Sequence, residues 1–249
     1  MQNQTLICTY NAQESKPLRL IARERSSYYI TKRIIDFVVA LGLLVLLSPL
    51  MLLISVLIFI YSPGPIFFVQ ERVGAKSRPF SKYSFWKRQN FKCYKFRTMK
   101  LNADSSVHRA YVKALIENDQ KEMSALQGVD TDVRKLLRDP RLIRPGKFLR
   151  KTSLDELPQL WNVLRGDMSL VGPRPAIPYE VEMYEPWYSV RLEAQPGITG
   201  LQQVMARSAV DFEKQMKLDI QYVESQSLWL DIKIILQTPF VVVSGRGAE

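Results

Sequence analysis

Histidine and cysteine are nearly missing from this sequence of 249 residues: His108 is the one histidine, and Cys8 and Cys93 are the two cysteines. Neither cysteine has metal-ligand spacing or a disulfide framework around it, which fits a reducing compartment. His108 lies in a polar helical stretch, so a Ser-His or Cys-His mechanism has little to build on. Acids are short as well. Twenty-four Asp and Glu against 35 Lys and Arg leave a net charge of +11, which points to an anionic partner: nucleic acid, acidic lipid or a phosphorylated substrate. There is no internal repeat, no low-complexity tract and no signal-peptide pattern, because the apolar run starts too late and lacks a small-residue cleavage site. What is plentiful is apolar surface. Hydrophobic residues make up 47 % of the chain, enough for one good-sized domain or a domain with an appendage.

The first 30 residues are mixed and polar. An apolar run from Ile34 to Ile60 follows, interrupted by Asp36 and by Ser48-Pro49. It exceeds the roughly 20 residues a bilayer crossing needs. Pro49 cannot donate to the carbonyl of Val45 and its ring clashes there, so a bend or break is predicted near the middle. Each half would then reach roughly 20 Å, short of a core about 30 Å thick. Lys32 and Arg33 precede the run, and ten Lys or Arg against the single acid Glu71 follow between Phe67 and Lys100. Basic flanks on both sides favour the cytoplasm for both ends. The residues alone leave a re-entrant hairpin and a kinked span open.

Beyond a turn at Ser62-Pro63-Gly64-Pro65, Ile66–Val69 and Phe91–Met99 read as strands. Phe85, Trp86, Phe91, Tyr94 and Phe96 among lysines suit a nucleic-acid surface or a polypeptide on anionic headgroups, and the adjacent apolar run favours the membrane. Asn102–Gln127 is predicted helical, with Val107, Ala110, Tyr111 and Ala114 on one stripe, and a second basic block runs from Arg134 to Lys151. Pro196-Gly197-Ile198-Thr199-Gly200 is a turn that offers amides to phosphate. Asp211–Glu224 and Leu228–Leu236 read as helices, the second ending before Pro239. Asp231 there needs a partner, most simply Lys233 or a basic pocket.

The centre of the chain carries the chemistry. Leu157, Leu160, Trp161 and Leu164 fall at i, i+3, i+4 and i+7, so one face of a helix is core, and Arg165-Gly166 stops it. Asp155 and Glu156 stand at its start. Ser153 and Glu156 have capping-box spacing, but Pro158 would then occupy a position needing an amide hydrogen. The regular helix should therefore begin nearer Asp155 or later, leaving both acids at its mouth. Capping and chemistry both remain open on spacing; the helix dipole favours ionised acids, and an ionised Asp can serve as nucleophile or as a Mg²⁺ ligand. Arg174 sits between Pro173 and Pro175, a stiff mount that suits a bidentate phosphate clamp and equally a surface arginine in a proline-rich turn. Carboxylates, a divalent metal and clustered arginines together suggest phosphoryl chemistry.

These residues resemble a known family, the bacterial sugar transferases, monotopic polyprenol-phosphate phosphoglycosyltransferases. The likeness covers roughly Tyr29 to Val243. It rests on Ser48-Pro49 in the apolar segment, the stretch Gly64-Pro65-Ile66-Phe67-Phe68-Val69-Gln70-Glu71-Arg72-Val73-Gly74, Lys95-Phe96-Arg97-Thr98-Met99, Asp155-Glu156, Pro173-Arg174-Pro175, the Pro196–Gly200 turn and Trp229-Leu230-Asp231-Ile232-Lys233. The resemblance implies a compact α/β (α+β) cytosolic unit, residues 62–244, with interfacial amphipathic helices. It would follow a polar tail (1–30) and a re-entrant membrane helix (31–61) broken at Ser48-Pro49. It implies that Asp155 attacks the sugar-linked phosphate of a UDP-sugar, that UMP leaves, and that polyprenol phosphate takes the phosphosugar from the aspartyl intermediate. Glu156 would assist as metal ligand or base, with Asp155 and Glu156 holding Mg²⁺. Lys95, Arg97, Arg174, Arg207 and Asp231 would bind substrate. The implied setting is the cytoplasmic face of a bacterial inner membrane, with its anionic lipids and without nucleic acid, and a homodimer is compatible with it. The sequence departs from the family at Gln202-Gln203-Val204-Met205-Ala206-Arg207, where a glycine usually precedes the arginine. Leu101–Lys147 is longer than in the smallest members, and the extra transmembrane helices of the large members are not expected here. The rival classes are a membrane-anchored nucleic-acid binder and a metal-dependent phosphohydrolase.

Overall fold

The computed structural model describes residues 20–22, 26–80, 83–101, 106–117, 119–127, 141–206 and 210–244. The apolar run forms one helix, α1 (Ser26–Tyr61), which starts inside the stretch expected to be a tail and continues through Pro49. The expected interruption into two helices is thus not what the backbone adopts. The physical reason lies in Ser48, whose hydroxyl donates to the carbonyl of Val45 at 2.8 Å. That is the carbonyl Pro49 leaves without a partner, and hydroxyl repair of this kind lets a proline sit inside a membrane helix. Most of α1 is bare: Val38, Val45, Leu46, Leu52, Phe59 and Ile60 are all exposed.

Two anchor points fix α1 to the rest of the protein. Near its start, Lys32 pairs with Asp231 at 2.8 Å, Arg33 donates to the carbonyls of Val163 and Leu164, and buried Asp36 accepts from the amide of Leu170. Asp36 therefore interrupts the apolar run in order to bond a strand. Ala40 then joins the main core, while Ile54 and Ile58 near the other end pack with Phe96, Ile143 and Leu149.

A three-stranded antiparallel sheet, in the order β1-β3-β2, stands beside α1, made of β1 (Leu20–Ala22), β2 (Phe67–Phe80) and β3 (Tyr83–Phe96). The hairpin of β2 and β3 keeps an unbroken register from Phe67↔Phe96 to Phe80↔Tyr83, so both strands are longer than sequence pattern suggested. Its far part alternates basic residues with others and shows little apolar periodicity, which is the signal strand prediction uses. The predicted helix at 102–127 is two helices, α2 (Ser106–Glu117) and α3 (Gln120–Gln127), with Tyr111 and Ala114 buried as expected.

The remaining elements are short. They are α4 (Arg144–Lys151), α5 (Gln159–Arg165), β4 (Ser169–Val171), α6 (Pro178–Glu182), β5 (Gly197–Thr199), α7 (Leu201–Met205), α8 (Phe212–Ser225) and α9 (Leu228–Ser244). Asp211 caps α8, accepting from the amide of Lys214. α9 runs on through Pro239 instead of stopping before it; one lost hydrogen bond does not end a helix whose Ile234 is buried in the core. Parallel β4 and β5 press their backbones together at Gly172 and Gly197, where a side chain on Gly197 would run into the amide nitrogen of Gly172. The main core gathers Ala40, Phe91, Cys93, Leu160, Val163, Met168, Leu170, Val171, Leu201, Tyr222 and Ile234 from α1, β3, α5, β4, α7, α8 and α9. It lies directly under the mouth of α5.

Candidate active site

Local backbone decides where the two acids point. Ser153 adopts the left-handed conformation, φ 57°, and its side chain makes no cap hydrogen bond. The capping box is therefore not formed. Leu154–Glu156 makes a single 3₁₀ turn, and α5 begins only at Gln159, after Pro158. The proline argument holds: both acids stand at the mouth, and Gly166, φ 76°, closes the helix as expected. The core face is shifted from the predicted one. Leu160 and Val163 are buried, Trp161 is 52 % exposed, and Asn162 is fully enclosed. Asn162 donates to the Lys92 carbonyl at 2.7 Å and accepts from the Tyr94 amide at 3.1 Å, so it latches α5 onto β3.

That latch brings Lys95 under the turn. Lys95 Nζ lies 2.6 Å from Glu156 Oε1, and Arg174 Nη1 lies 3.5 Å from the same oxygen. Burial alone would raise Glu156, but the charges of Lys95 and Arg174 hold it down to about 2. Asp155 behaves oppositely. Its residue is 8 % exposed, and desolvation followed by the neighbouring negative charge of Glu156 pushes it up to about 6. One acid is held ionised by cations, and its neighbour is poised. This is the division expected where two adjacent carboxylates do different work.

The segment carrying Arg174 is pinned through its carbonyls. The Gly197 amide donates to Pro173 O at 2.9 Å, Arg191 donates to Arg174 O at 2.8 Å and Arg72 to Pro175 O at 2.9 Å. The glycine turn thus spends the Gly197 amide on the arginine's mount, not on an open phosphate cradle. Arg191 is itself locked by Asp219, 2.6 Å away, in a pair with side chains 4 % and 2 % exposed. Arg72, Cys93, Lys95, Glu156, Gln159, Arg174, Pro175, Gly197 and Ile198 line one small cleft. Arg72, Cys93, Asn162 and the Arg191–Asp219 pair escaped sequence reasoning. The alternation of β3, which places Cys93 and Lys95 on one face, was the signal available for one of them.

Other expected site residues lie elsewhere. Arg97 sits at the turn after α1, donating to the Ser62 carbonyl. Asp231 is committed to Lys32, Tyr28 and Tyr222, so its partner is Lys32 and not Lys233. Arg207 falls outside the described residues. Among the described residues there is no group of three or more His, Cys, Asp or Glu that would hold a metal by itself. A Mg²⁺ site would have to be shared: Mg²⁺ commonly takes one or two protein carboxylates and completes its shell with water and substrate phosphate. Asp155 and Glu156 suit that arrangement, since their mutual repulsion is what a cation would relieve.

The family profile described as "Bacterial sugar transferase" matches residues 27–245. The chain is 40 % identical over 225 residues to the undecaprenyl-phosphate galactose phosphotransferase of Salmonella typhimurium, covering 90 % of this chain and 43 % of that protein. It is 38 % identical over 219 residues to the exopolysaccharide production protein ExoY of Sinorhizobium fredii, covering 88 % of each. With the UDP-glucose:undecaprenyl-phosphate glucose-1-phosphate transferase of Escherichia coli it shares 36 % over 219 residues, 85 % of this chain and 40 % of that one. It therefore spans less than half of the Salmonella and Escherichia proteins. The match over residues 27–245, most of the chain, places it in the bacterial sugar transferase family.

Proposed function

We propose that this protein moves a sugar 1-phosphate from a UDP-sugar to a polyprenol phosphate, starting assembly of a lipid-linked glycan. The observation that carries the reading is the contrast within the pair. Glu156 is taken by Lys95 and Arg174, whereas no described residue hydrogen-bonds the Asp155 carboxylate, which can reach a phosphorus. In the first step an Asp155 oxygen attacks the sugar-linked phosphorus. The bond from that phosphorus to the bridging oxygen breaks, and UMP leaves with the electron pair. In the second step an acceptor phosphate oxygen attacks the same phosphorus and frees Asp155. Arg174 and Lys95 stabilise the charge spread over the phosphoryl oxygens. Asp155 and Glu156 would hold Mg²⁺, which would supply neutralising charge there. Chelation should abolish turnover and added Mg²⁺ restore it.

A re-entrant seat in the membrane fits the same reading. Both ends of α1 pack on one polar unit, through Arg33 and Asp36 at one end and Ile54 and Ile58 at the other. A helix crossing the bilayer would carry one of those ends away. Exposed Phe148, Trp161, Trp229, Leu236 and Phe240 on α4, α5 and α9 supply interfacial apolar surface. Its place is then the cytoplasmic leaflet of the inner membrane. Denaturing mass spectrometry after mixing the protein with a UDP-sugar, without acceptor, tests the chemistry. The expected result is one added phosphosugar on the peptide holding Asp155; UMP release with an unmodified Asp155, or the adduct on Glu156, would overturn it.

A further inference from the structure

Among the described residues, no carboxylate pairs with the buried cation Arg97. The residue is 4 % exposed, its Nη2 donates to the Ser62 carbonyl, and its Nε and Nη1 have no hydrogen-bond partner. Arg191 shows what this protein does with a buried arginine that is only scaffold: it gives it Asp219 at 2.6 Å. Among the described residues Arg97 has only the carbonyl end of α1, worth about half a charge, and a cation withdrawn from water without a counter-charge is costly.

Its position says what the missing anion is. Arg97 continues β3 beyond Phe96, and its amide bonds the Ile66 carbonyl. Cys93 and Lys95, four and two residues before it, line the catalytic cleft, and by the rise of extended chain Arg97 lies roughly 7 Å beyond Lys95, outside the residues that line that cleft. It also abuts the turn by which α1 leaves the membrane. What covers it is thin. A Cβ built on Gly64, φ 124°, would stand 3.0 Å from Arg97 Nη1 and 3.1 Å from Leu101 Cδ1, and Gly64 and Leu101 are both exposed. A lipid whose chain stays in the bilayer presents its phosphate at that depth.

We infer that Arg97 forms the acceptor subsite: it receives the phosphomonoester of the membrane-embedded lipid as that group passes Leu101 and the Gly64 turn, on the membrane side of Lys95 and apart from Arg174, which serves the donor. This rests on the two-step transfer proposed above and divides the cations between its halves. The lipid phosphate supplies the counter-charge that the fold omits, and Arg97 aims it along β3 toward Asp155.

The test separates the halves, using full-length protein in lipid nanodiscs. Arg97→Gln and Arg97→Lys should leave the burst of UMP from UDP-sugar alone within about twofold of wild type. They should raise the KM for polyprenol phosphate at least tenfold for Gln and less for Lys. Arg97→Lys, which keeps the charge, covers the case in which Arg97→Gln fails to fold; Gly64→Ala, strained at φ 124° as well as crowding Nη1, should show the same acceptor-only defect in whatever fraction folds. Equal loss of the UMP burst, or an unchanged acceptor KM, overturns the assignment. So does a variant whose sole defect is weaker binding to phosphatidylglycerol vesicles, since the site would then serve bulk headgroups. A wild type that gives no UMP burst refutes the two-step reading itself, and the steady-state acceptor KM of the variants still decides the role of Arg97.

Discussion

Two clusters of buried acid and arginine lie close together in this protein, and they are built differently. At Asp219, Arg191 spends its fork on that carboxylate, the Tyr184 hydroxyl and the Arg174 carbonyl, with Glu180 3.6 Å away and nearly no exposure. At Asp155–Glu156, two acids share Lys95 and a half-exposed Arg174, and only Glu156 receives them. The first cluster has its charges paired without a ligand, with Asp219 Oδ1 alone left without a hydrogen-bond partner, and its work is to hold a segment still. The second is left short of positive charge at one carboxylate and open at Arg174. Paired charge marks scaffold here, and an unpaired carboxylate marks the proposed reacting centre.

Substitutions that swap these characters should fail in different ways. The largest effect is expected at the deficit. Asp155→Asn removes the attacking oxygen, so UMP release and lipid-linked product should both drop to background while the melting temperature is kept. Survival of activity would mean that Asp155 is only a helix-mouth acid. Next comes the buried Arg191–Asp219 pair. Arg191→Met strands Asp219 without its charge partner, and breaking a buried pair costs about 3–5 kcal/mol, read as a lower denaturant midpoint and a disordered Arg174 mount. A variant as stable as wild type would show that the pair is not what holds the segment.

Lys95→Met should cost about 10²-fold in the rate of UMP release, the scale of losing one preorganised charge, with a smaller stability change than Arg191→Met. The smallest effect is one of pH. Asp155 must shed a proton to attack, so the single-turnover rate should rise about tenfold per unit up to about 6 and then level. Stability should move the other way for this group. Its folded value lies above 3.8, so its contribution is lost as pH rises from there through about 6. Glu156, lowered from 4.5 to about 2, contributes stability that is lost as pH falls through that range. A rate profile flat between pH 5 and 7 would contradict the raised Asp155.

The sequence exposed the deficit better than the scaffold. Pro158 alone was enough to argue that regular helix could not start at Ser153, and so that Asp155 and Glu156 lay at a mouth. Gly166 announced the end of α5, and Asp211 the start of α8. Sequence pattern missed what depends on distant partners. Asn162 looks like a solvent-facing residue in a heptad-like stripe, and is fully enclosed because β3 offers it a carbonyl and an amide 70 and 68 residues away. Asp231 has a lysine two positions on, yet its pair is Lys32, 199 residues back. Arg72 and Arg191 carry no local signature, since their roles are carbonyls on another segment. Likewise Pro49 reads as a bend or break and Pro239 as a stop, and the helix runs on through each, because a serine hydroxyl at the first and packing at the second outweigh one missing amide.

The way α1 is fastened has a consequence for how the molecule holds together. Ala40, Ile54 and Ile58 are core residues shared with the strands and short helices, while their neighbours on the same helix are bare hydrocarbon. Fold and anchor are therefore one cooperative structure. An amphiphile that covers the exposed flank of α1 binds the native state and behaves as a ligand for it, raising its stability by mass action. On the proposed seat in the membrane, extraction from the bilayer and unfolding of the rest of the protein become linked equilibria, so the surrounding lipid would be a thermodynamic component of the protein.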